Sequence, residues 1–279
     1  MLSYLHEFHA GNFADVQKHV TLMLVLTMMQ GKASGIACFD THAGSALYDL
    51  EGDRARKTAE AEQGVQRIWR MRDQLRLPDW QAWFSVLDAV NEGGNQLNRY
   101  PGSPAWFTHC LRRQDTLTAF ELHSMESSRL ARWAQQQRLR VLPQDGLKGL
   151  LGQLPPPQPR LAVLVDPSYE LKEDYGRVAD TLARAWQRCR HGVFLVWYPI
   201  LTGGGHRVLL DRIAAGPVRK VWQQEVHLEN PPERGMTGSG MLVGNPPWGL
   251  DERLAAMLDA VSGNEGLNIS RQQAWLVPE

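Results

Sequence analysis

The segment RLAVLVD, residues 160–166, is an uninterrupted apolar run that ends in an acid. Residues 175–190 then show the apolar spacing of a helix, and GVFLVWYP at 192–199 is a second apolar run. Short runs without polar alternation are typical of strands that are buried on both faces of a parallel sheet. The strand–helix–strand order therefore predicts a doubly wound α/β sheet.

The same alternation continues towards the N-terminus. It predicts a helix over 15–30, strands at 35–40, 117–121 and 140–145, and a helix over 127–137. In the C-terminal part, 220–228 and 239–245 have strand patterns with no helix between them. We expect these two to form an antiparallel pair at the sheet edge.

Residues 51–98 differ from the rest of the chain, because they are polar, helical in pattern and rich in Arg, Gln and Trp. We interpret them as an inserted helical subdomain. The α/β core is then discontinuous and consists of 1–50 and 99–279.

The composition limits the classes of function. Thirty basic residues balance thirty acidic ones, so a nucleic-acid contact would have to be local. Three distant cysteines form no C-x-x-C pair, which argues against a disulfide framework or structural zinc. No apolar run resembles a signal peptide or membrane span. We expect a cytoplasmic monomer with no membrane contact.

Four acids come at or just after the ends of predicted strands: Asp40, Glu121, Asp145 and Asp166. In an open α/β sheet this edge binds ligands. For a nucleoside-containing cofactor, Glu121 could hold the ribose, Asp145 the adenine amine, and the turn at 42–44 the charged tail. Alternatively, each acid caps the helix that follows it.

The tetrapeptide DPSY at 166–169 carries the sharpest chemical signal. The amine of adenine is a weak nucleophile because its lone pair is delocalised into the ring. The Asp166 carboxylate and the Pro167 carbonyl can accept hydrogen bonds from that amine, and the Tyr169 ring can stack on the base. NPPW at 245–248 is a similar string, but it follows the cofactor-side strands, so we interpret it as a proline turn.

Other polar groups leave alternatives open. His6, His9, His19 and His42 could bind metal, make hydrogen bonds at a helix start, or line a cofactor and base pocket; their spacing matches no metal motif, so we expect no metal. The arginines of the insertion and of 112–140 either contact phosphates or are solvated helix faces.

Several longer motifs resemble those of the bacterial large-subunit ribosomal RNA adenine-N6-methyltransferase family. They are MLSY-x-H-x-FHAGN-x-AD-x-x-KH at 1–19, DTHAG at 40–44, YPGSP at 100–104, ELH at 121–123, DG at 145–146, DPSYE at 166–170, WYP at 197–199, RGMT-x-SGM at 234–241 and VPE at 277–279. The opening and RGMT blocks are long enough to be specific.

The resemblance implies a Rossmann-like class I S-adenosylmethionine-dependent methyltransferase with a helical insertion, acting on ribosomal RNA. It implies that Asp166 is catalytic and that Tyr4 meets the RNA. The cofactor contacts that it implies are Lys18, His19, His42, Ser103, Glu121, Asp145, Gly146 and Asp166.

Two positions depart from the family pattern. Ser168 stands where the family often has a second proline, which makes the loop less rigid but leaves the Pro167 carbonyl in place. Ser45 and Ala46 follow Gly44 where a second glycine is common, which affects the approach to the cofactor tail.

Three rival functions remain. The catalytic loop would also serve a DNA adenine methyltransferase, and a noncatalytic RNA-binding protein could retain the fold. A metal-dependent hydrolase could use the N-terminal histidines.

Overall fold

Eight strands form one mixed sheet in the computed structural model, which describes residues 6–279. In chain order the described strands are β1 (Ile36–Asp40), β2 (Leu47–Asp49), β3 (Arg99–Pro101), β4 (Thr116–Phe120), β5 (Arg140–Leu142), β6 (Arg160–Val165), β7 (Val193–Leu201), β8 (Val221–Leu228), β9 (Met236–Gly244) and β10 (Ile269–Val277). The sheet order is β10-β8-β9-β7-β6-β1-β4-β5, and β2 pairs with β3 separately.

The sheet has a parallel part and an antiparallel edge. β5, β4, β1, β6 and β7 are parallel, whereas β9 runs antiparallel to both β7 and β8. β10 pairs antiparallel with β8. The Rossmann-like sheet and the antiparallel pairing of β8 with β9 are thus as predicted, but β10 and not this pair forms the edge of the sheet.

The α-helices of the described residues are α1 (Phe13–Met29), α2 (Asp53–Thr58), α3 (Glu60–Gln63), α4 (Val65–Arg70), α5 (Pro78–Val90), α6 (Ser103–Cys110), α7 (Ser124–Ala134), α8 (Gly146–Gln153), α9 (Glu173–Arg188), α10 (His206–Ala215) and α11 (Leu250–Asp259). None of them is both long and apolar enough to span a bilayer.

Helices cover both faces of the sheet. On β6, Ala162 and Leu164 pack with α1, α5, α6 and α11, whereas Leu161 and Val163 pack with α8, α9 and α10. Because both faces are buried, the β6 sequence shows a continuous apolar run instead of alternation.

The helices α2 to α5 lie between the paired strands β2 and β3. Their aromatic side chains join the core beside α1: Trp83 is fully buried and its ring stacks on Trp106 of α6 at 5.2 Å between centroids. The Trp80 indole donates to the Met257 carbonyl of α11 (3.2 Å). The proposed boundaries at 51 and 98 stay a prediction, since these helices share their core with the sheet.

The sequence patterns did not indicate α11 or β10. β10 pairs through its backbone at the sheet edge while most of its side chains are exposed, so it lacks the apolar run that marks the inner strands. The polar residues RQQ at 271–273 do not show the pattern of a strand.

We expect Trp83→Ala to lower the free energy of unfolding of the whole chain by about 3–5 kcal/mol, because it leaves a large cavity where the insertion meets α6. Urea denaturation measures this. Trp248→Ala is the matched control: Trp248 is 96% exposed, so its loss should change stability by less than about 0.5 kcal/mol. A separate unfolding step of the insertion, with the core transition unchanged, would contradict a shared core.

Candidate functional site

A cavity of about 1,100 Å³ opens at the carboxyl ends of the parallel strands. It exceeds the usual range for one small ligand, roughly 300–1,000 Å³. The structure brings nine predicted residues to its wall: Lys18, His19, His42, Ser103, Glu121, Asp145, Gly146, Asp166 and Pro167.

A buried ion network links α1 to the end of β6. The Lys18 ammonium lies 2.8 Å from Asp15 Oδ1 and 2.6 Å from Asp166 Oδ2, and its side chain is 4% exposed. Burial alone would lower the pKa of Lys18, but the two carboxylates outweigh it and raise that pKa. Lys18 therefore stays charged and fixes the Asp166 carboxylate.

Asp15 completes this network, and the sequence reasoning did not single it out. Its Oδ2 accepts hydrogen bonds from the Gly11 N–H (2.8 Å) and from His6 Nε2 (2.9 Å). Burial raises the pKa of Asp15, but the charges of His6 and Lys18 hold it well below its usual value. The one-turn spacing of Asp15 and Lys18 on α1 was the available signal.

Two hydrogen-bond acceptors at the turn after β6 face the cavity. Asp166 Oδ2 is bonded to Lys18, whereas Oδ1 has no donor within residues 6–279. The Pro167 carbonyl accepts no hydrogen bond from the same part of the chain. Burial raises the pKa of Asp166, and Lys18 opposes that rise. Both residues that DPSY put forward as acceptors thus line the cavity, and their binding of an amine stays a prediction.

Tyr169 is not among the residues that line the cavity, and its predicted stacking on a base stays a prediction. The ring is 5% exposed and stacks on Tyr175 at 4.5 Å, and the hydroxyl donates to the Trp197 carbonyl (2.8 Å). The backbone at Tyr169 has a φ of 52°, in the left-handed region, which turns the side chain into the core. In this arrangement Tyr169 anchors the turn.

Trp197 is the first residue of the WYP motif, and it is the aromatic residue of β7 that lines the cavity. Its indole N–H donates to Ser239 Oγ (2.8 Å), and the Lys18 ammonium lies 5.7 Å from the ring centroid. Its neighbour Tyr198 points to the opposite face of the sheet, as alternation along a strand requires.

Glu121 joins the end of β4 to the turn after β1. Its carboxylate accepts hydrogen bonds from the backbone N–H groups of Gly44 (2.7 Å) and His123 (2.6 Å). Burial raises the pKa of Glu121, and the two N–H donors oppose that rise. Each oxygen retains lone-pair capacity for a further donor, such as a ribose hydroxyl.

The turn after β1 accommodates the residues that depart from the family pattern. Gly44 adopts a φ of 56°, which favours glycine. The Ser45 N–H donates to the Tyr48 hydroxyl (3.0 Å) and its Oγ donates to Glu126. Ser45 is thus held by its own contacts.

Asp145 lines the cavity and also caps α8, while its predicted contact with the cofactor's adenine amine stays a prediction. Its Oδ1 accepts from the Lys148 N–H (3.0 Å), and Oδ2 pairs with Arg177 at 2.7 Å. Burial raises its pKa, but these donors hold the pKa of Asp145 below the usual range. A Cβ on the adjacent Gly146 would overlap the Thr41 carbonyl oxygen, so glycine is required there.

Two neutral histidines line the cavity. Burial lowers the pKa of His42 to about 4, and lowers that of His19 well below its usual value. His19 Nδ1 bonds to the Tyr100 hydroxyl (2.8 Å), while the buried Nε2 has no partner in the described chain. His19 Nε2 is therefore a buried polar atom that the described chain leaves unsatisfied.

Asp40, the fourth strand-end acid, is fully buried and does not line the cavity. Neither carboxylate oxygen has a hydrogen-bond partner of ordinary geometry within residues 6–279. Burial raises the pKa of Asp40 to about 7. Asp40 is therefore a titratable group beneath the cavity and not part of its wall.

His6 and His9 also line the cavity, and His9 Nδ1 bonds to Glu60 (2.8 Å). Tyr4 is outside the described residues. NPPW follows β9, whose last residue Gly244 pairs with Phe194 near the start of β7, so it lies at the opposite end of the parallel strands from the cavity.

Comparisons with known proteins agree on one family. A family model described as "Ribosomal RNA large subunit methyltransferase D, RlmJ" matches residues 33–277. The chain is 36% identical over 288 residues to "Ribosomal RNA large subunit methyltransferase J" of Escherichia coli (strain K12), with both chains fully covered. It is 35% identical over 285 residues to the Haemophilus influenzae protein of that name, again with both chains fully covered.

A solved structure supports the same fold. The crystal structure of a Legionella pneumophila protein superposes with a TM-score of 0.88 at 31% identity, covering 96% of this chain and 98% of that one. The similarity therefore extends over the sheet, the insertion and the cavity.

We expect Lys18→Met to destabilise the fold by about 3–5 kcal/mol near neutral pH, because two buried carboxylates lose their cation. Without it, the folded-state pKa of Asp15 rises above its unfolded value, and that of Asp166, which burial already raises, rises further. Stability is then lost as pH rises through those values, so the deficit should be smaller at pH 5 than at pH 8. Urea denaturation at both pH values, with the exposed Lys57→Met as control, measures it. A deficit that does not depend on pH would contradict the network.

Proposed function

The chain belongs to the ribosomal RNA large subunit methyltransferase family, and on this basis we propose that it methylates N6 of one adenine in large-subunit ribosomal RNA. S-adenosylmethionine is the methyl donor. The observation that carries the proposal is the pair of acceptors at Asp166 Oδ1 and the Pro167 carbonyl, which face a cavity large enough for a cofactor and a nucleotide.

The acceptor pair suits the chemistry of an aromatic amine. An NH₂ group has two hydrogens, and each acceptor takes one, which draws electron density back onto nitrogen and orients its lone pair. The Lys18 ammonium keeps Asp166 ionised, so the carboxylate can accept. After transfer, the nitrogen carries one proton too many, and Asp166 is the adjacent group that can take it.

The residues present fit S-adenosylmethionine, which supplies an activated methyl group on a sulfonium. Glu121 would hold the ribose, Asp145 the adenine amine, and Ser103 with the 42–44 turn the amino-acid tail. His19 Nε2, buried and without a partner in the described chain, needs such a polar group. The carboxylates of Asp15 and Asp166 both line the cavity, where negative groups complement the sulfonium.

The roles of the two tyrosines are assigned separately. Tyr4 meets the RNA, as the family resemblance implies. Tyr169 acts by holding the Pro167–Ser168 turn; stacking on the base would require it to leave Tyr175 and give up the Trp197 carbonyl.

We expect Asp166→Ala to reduce methyl transfer by at least about 10²–10³-fold, because it removes one acceptor of the amine. Asp166→Asn retains one acceptor oxygen and should keep more activity than Ala. Transfer of labelled methyl groups to protein-free ribosomal RNA measures the rate, and calorimetry should still detect weakened S-adenosylmethionine binding. Wild-type turnover by Asp166→Ala would end the assignment.

The same assay separates the rival functions. Comparing ribosomal RNA with duplex DNA tests the DNA methyltransferase, and S-adenosylmethionine binding argues against a noncatalytic protein. Chelator inhibition with stoichiometric metal would favour the hydrolase. We also propose that the protein is a cytoplasmic monomer. Light scattering of the purified protein measures its molar mass and thereby tests the monomeric state.

A further inference from the structure

The cavity extends beyond the groups that the reaction uses. The sheet order places Glu121 and Asp145 at the β4–β5 side, Asp166 in the middle, and the β8–β9 loop at the far side. The start of β9 lies two strands from β6 and also further along the strand direction, because Met236 pairs with Leu201 of β7 whereas Val165 pairs with Val196. At about 4.8 Å per strand and 3.3 Å per residue, the separation is roughly 20 Å. A base held at Asp166 would thus have the backbone of the adjoining nucleotides near the far side.

The two ends of the cavity differ in charge. Glu121, Glu126 and Asp145 line the cofactor side, where Arg177 is paired with Asp145 and Asp174. Of the Lys and Arg side chains that line the cavity, Arg67 and Arg234 are those without a carboxylate partner in the described residues. Both lie on segments that wall the far side.

Arg234 is exposed at the mouth of the cavity, in the RGMT segment just before β9. No hydrogen bond to its side chain occurs within residues 6–279. The loop that presents it is fixed at both ends, because the Glu229 N–H donates to the Asn268 carbonyl (3.1 Å) and the Thr202 N–H donates to that of Gly235 (3.2 Å).

Arg67 approaches the same wall from α4. Its Nη1 donates to the carbonyls of Asn264 and Gly266 (both 3.2 Å), which leaves Nε and Nη2 for another acceptor. These carbonyls belong to the segment that continues into Asn268 and thus contacts the Arg234 loop. Glu60 is the carboxylate on the far side of the cavity, and it already accepts hydrogen bonds from His9 and Asn12.

We propose that Arg234 and Arg67 bind a backbone phosphate of the ribosomal RNA at or beside the target adenosine. This inference rests on the proposed function and assigns residues that hold the RNA rather than the cofactor. Guanidinium groups bind phosphate oxygens through paired hydrogen bonds. The site thereby supplies a local positive charge in a chain whose net charge is zero.

The test is steady-state methyl transfer to a protein-free transcript of large-subunit ribosomal RNA by Arg234→Gln and Arg67→Gln. We expect each to raise the KM for RNA about tenfold, the equivalent of one charge-assisted hydrogen bond, with kcat within about twofold and the KM for S-adenosylmethionine unchanged. The slope of log KM against log salt should become shallower by about 0.7. The control is Arg184→Gln, an exposed arginine on α9.

Lysine variants keep the test decisive. Arg234→Lys and Arg67→Lys should recover most of the salt slope, because a point charge still attracts phosphate. A lost carbonyl contact of Arg67 would instead appear as a lower melting temperature without a change in salt slope. An RNA KM and salt slope equal to those of Arg184→Gln would overturn the proposal, as would a fall in kcat alone. Failure of the proposed function is distinct: the wild-type protein would then not methylate the transcript.

Discussion

The ion network of Lys18 with Asp15 and Asp166 is the constraint on which the site depends. A buried ammonium is costly unless carboxylates surround it, and a buried carboxylate is equally costly without a cation. The network is possible because α1 is buried over nearly its whole length and begins at the cavity, where Asn12 caps the Asp15 N–H (2.9 Å). The helix and the β6 turn are thereby fixed relative to each other, with one oxygen of Asp166 left to meet a substrate.

Sheet topology supplies the rest of the geometry. β6 lies next to β1, and β1 lies next to β4, so three neighbouring strand ends carry Asp166, Asp40 and Glu121. Residues that are far apart in sequence therefore meet at one edge. Asp40 lies buried beneath this edge, and burial raises its pKa to about 7.

Sequence patterns predicted those parts that depend on regular burial. The apolar runs at β6 and β7 gave the sheet, and the acids after its strands gave the cavity edge. Patterns could not give the direction of Tyr169, because a left-handed φ at one residue decides whether the ring faces the cavity or Tyr175. They also missed β10, whose stability comes from backbone pairing rather than from apolar side chains.

The inserted helices gain a functional meaning from their packing. Trp80 and Trp83 of α5 connect them to α11 and α6, and Arg67 of α4 donates to the carbonyls of Asn264 and Gly266. A nucleotide bound between this wall and the β8–β9 loop would then meet a guanidinium that is already held in place, which lowers the entropy lost on ordering the site. The insertion thus extends the cavity across the sheet edge while Asp166 remains at its centre.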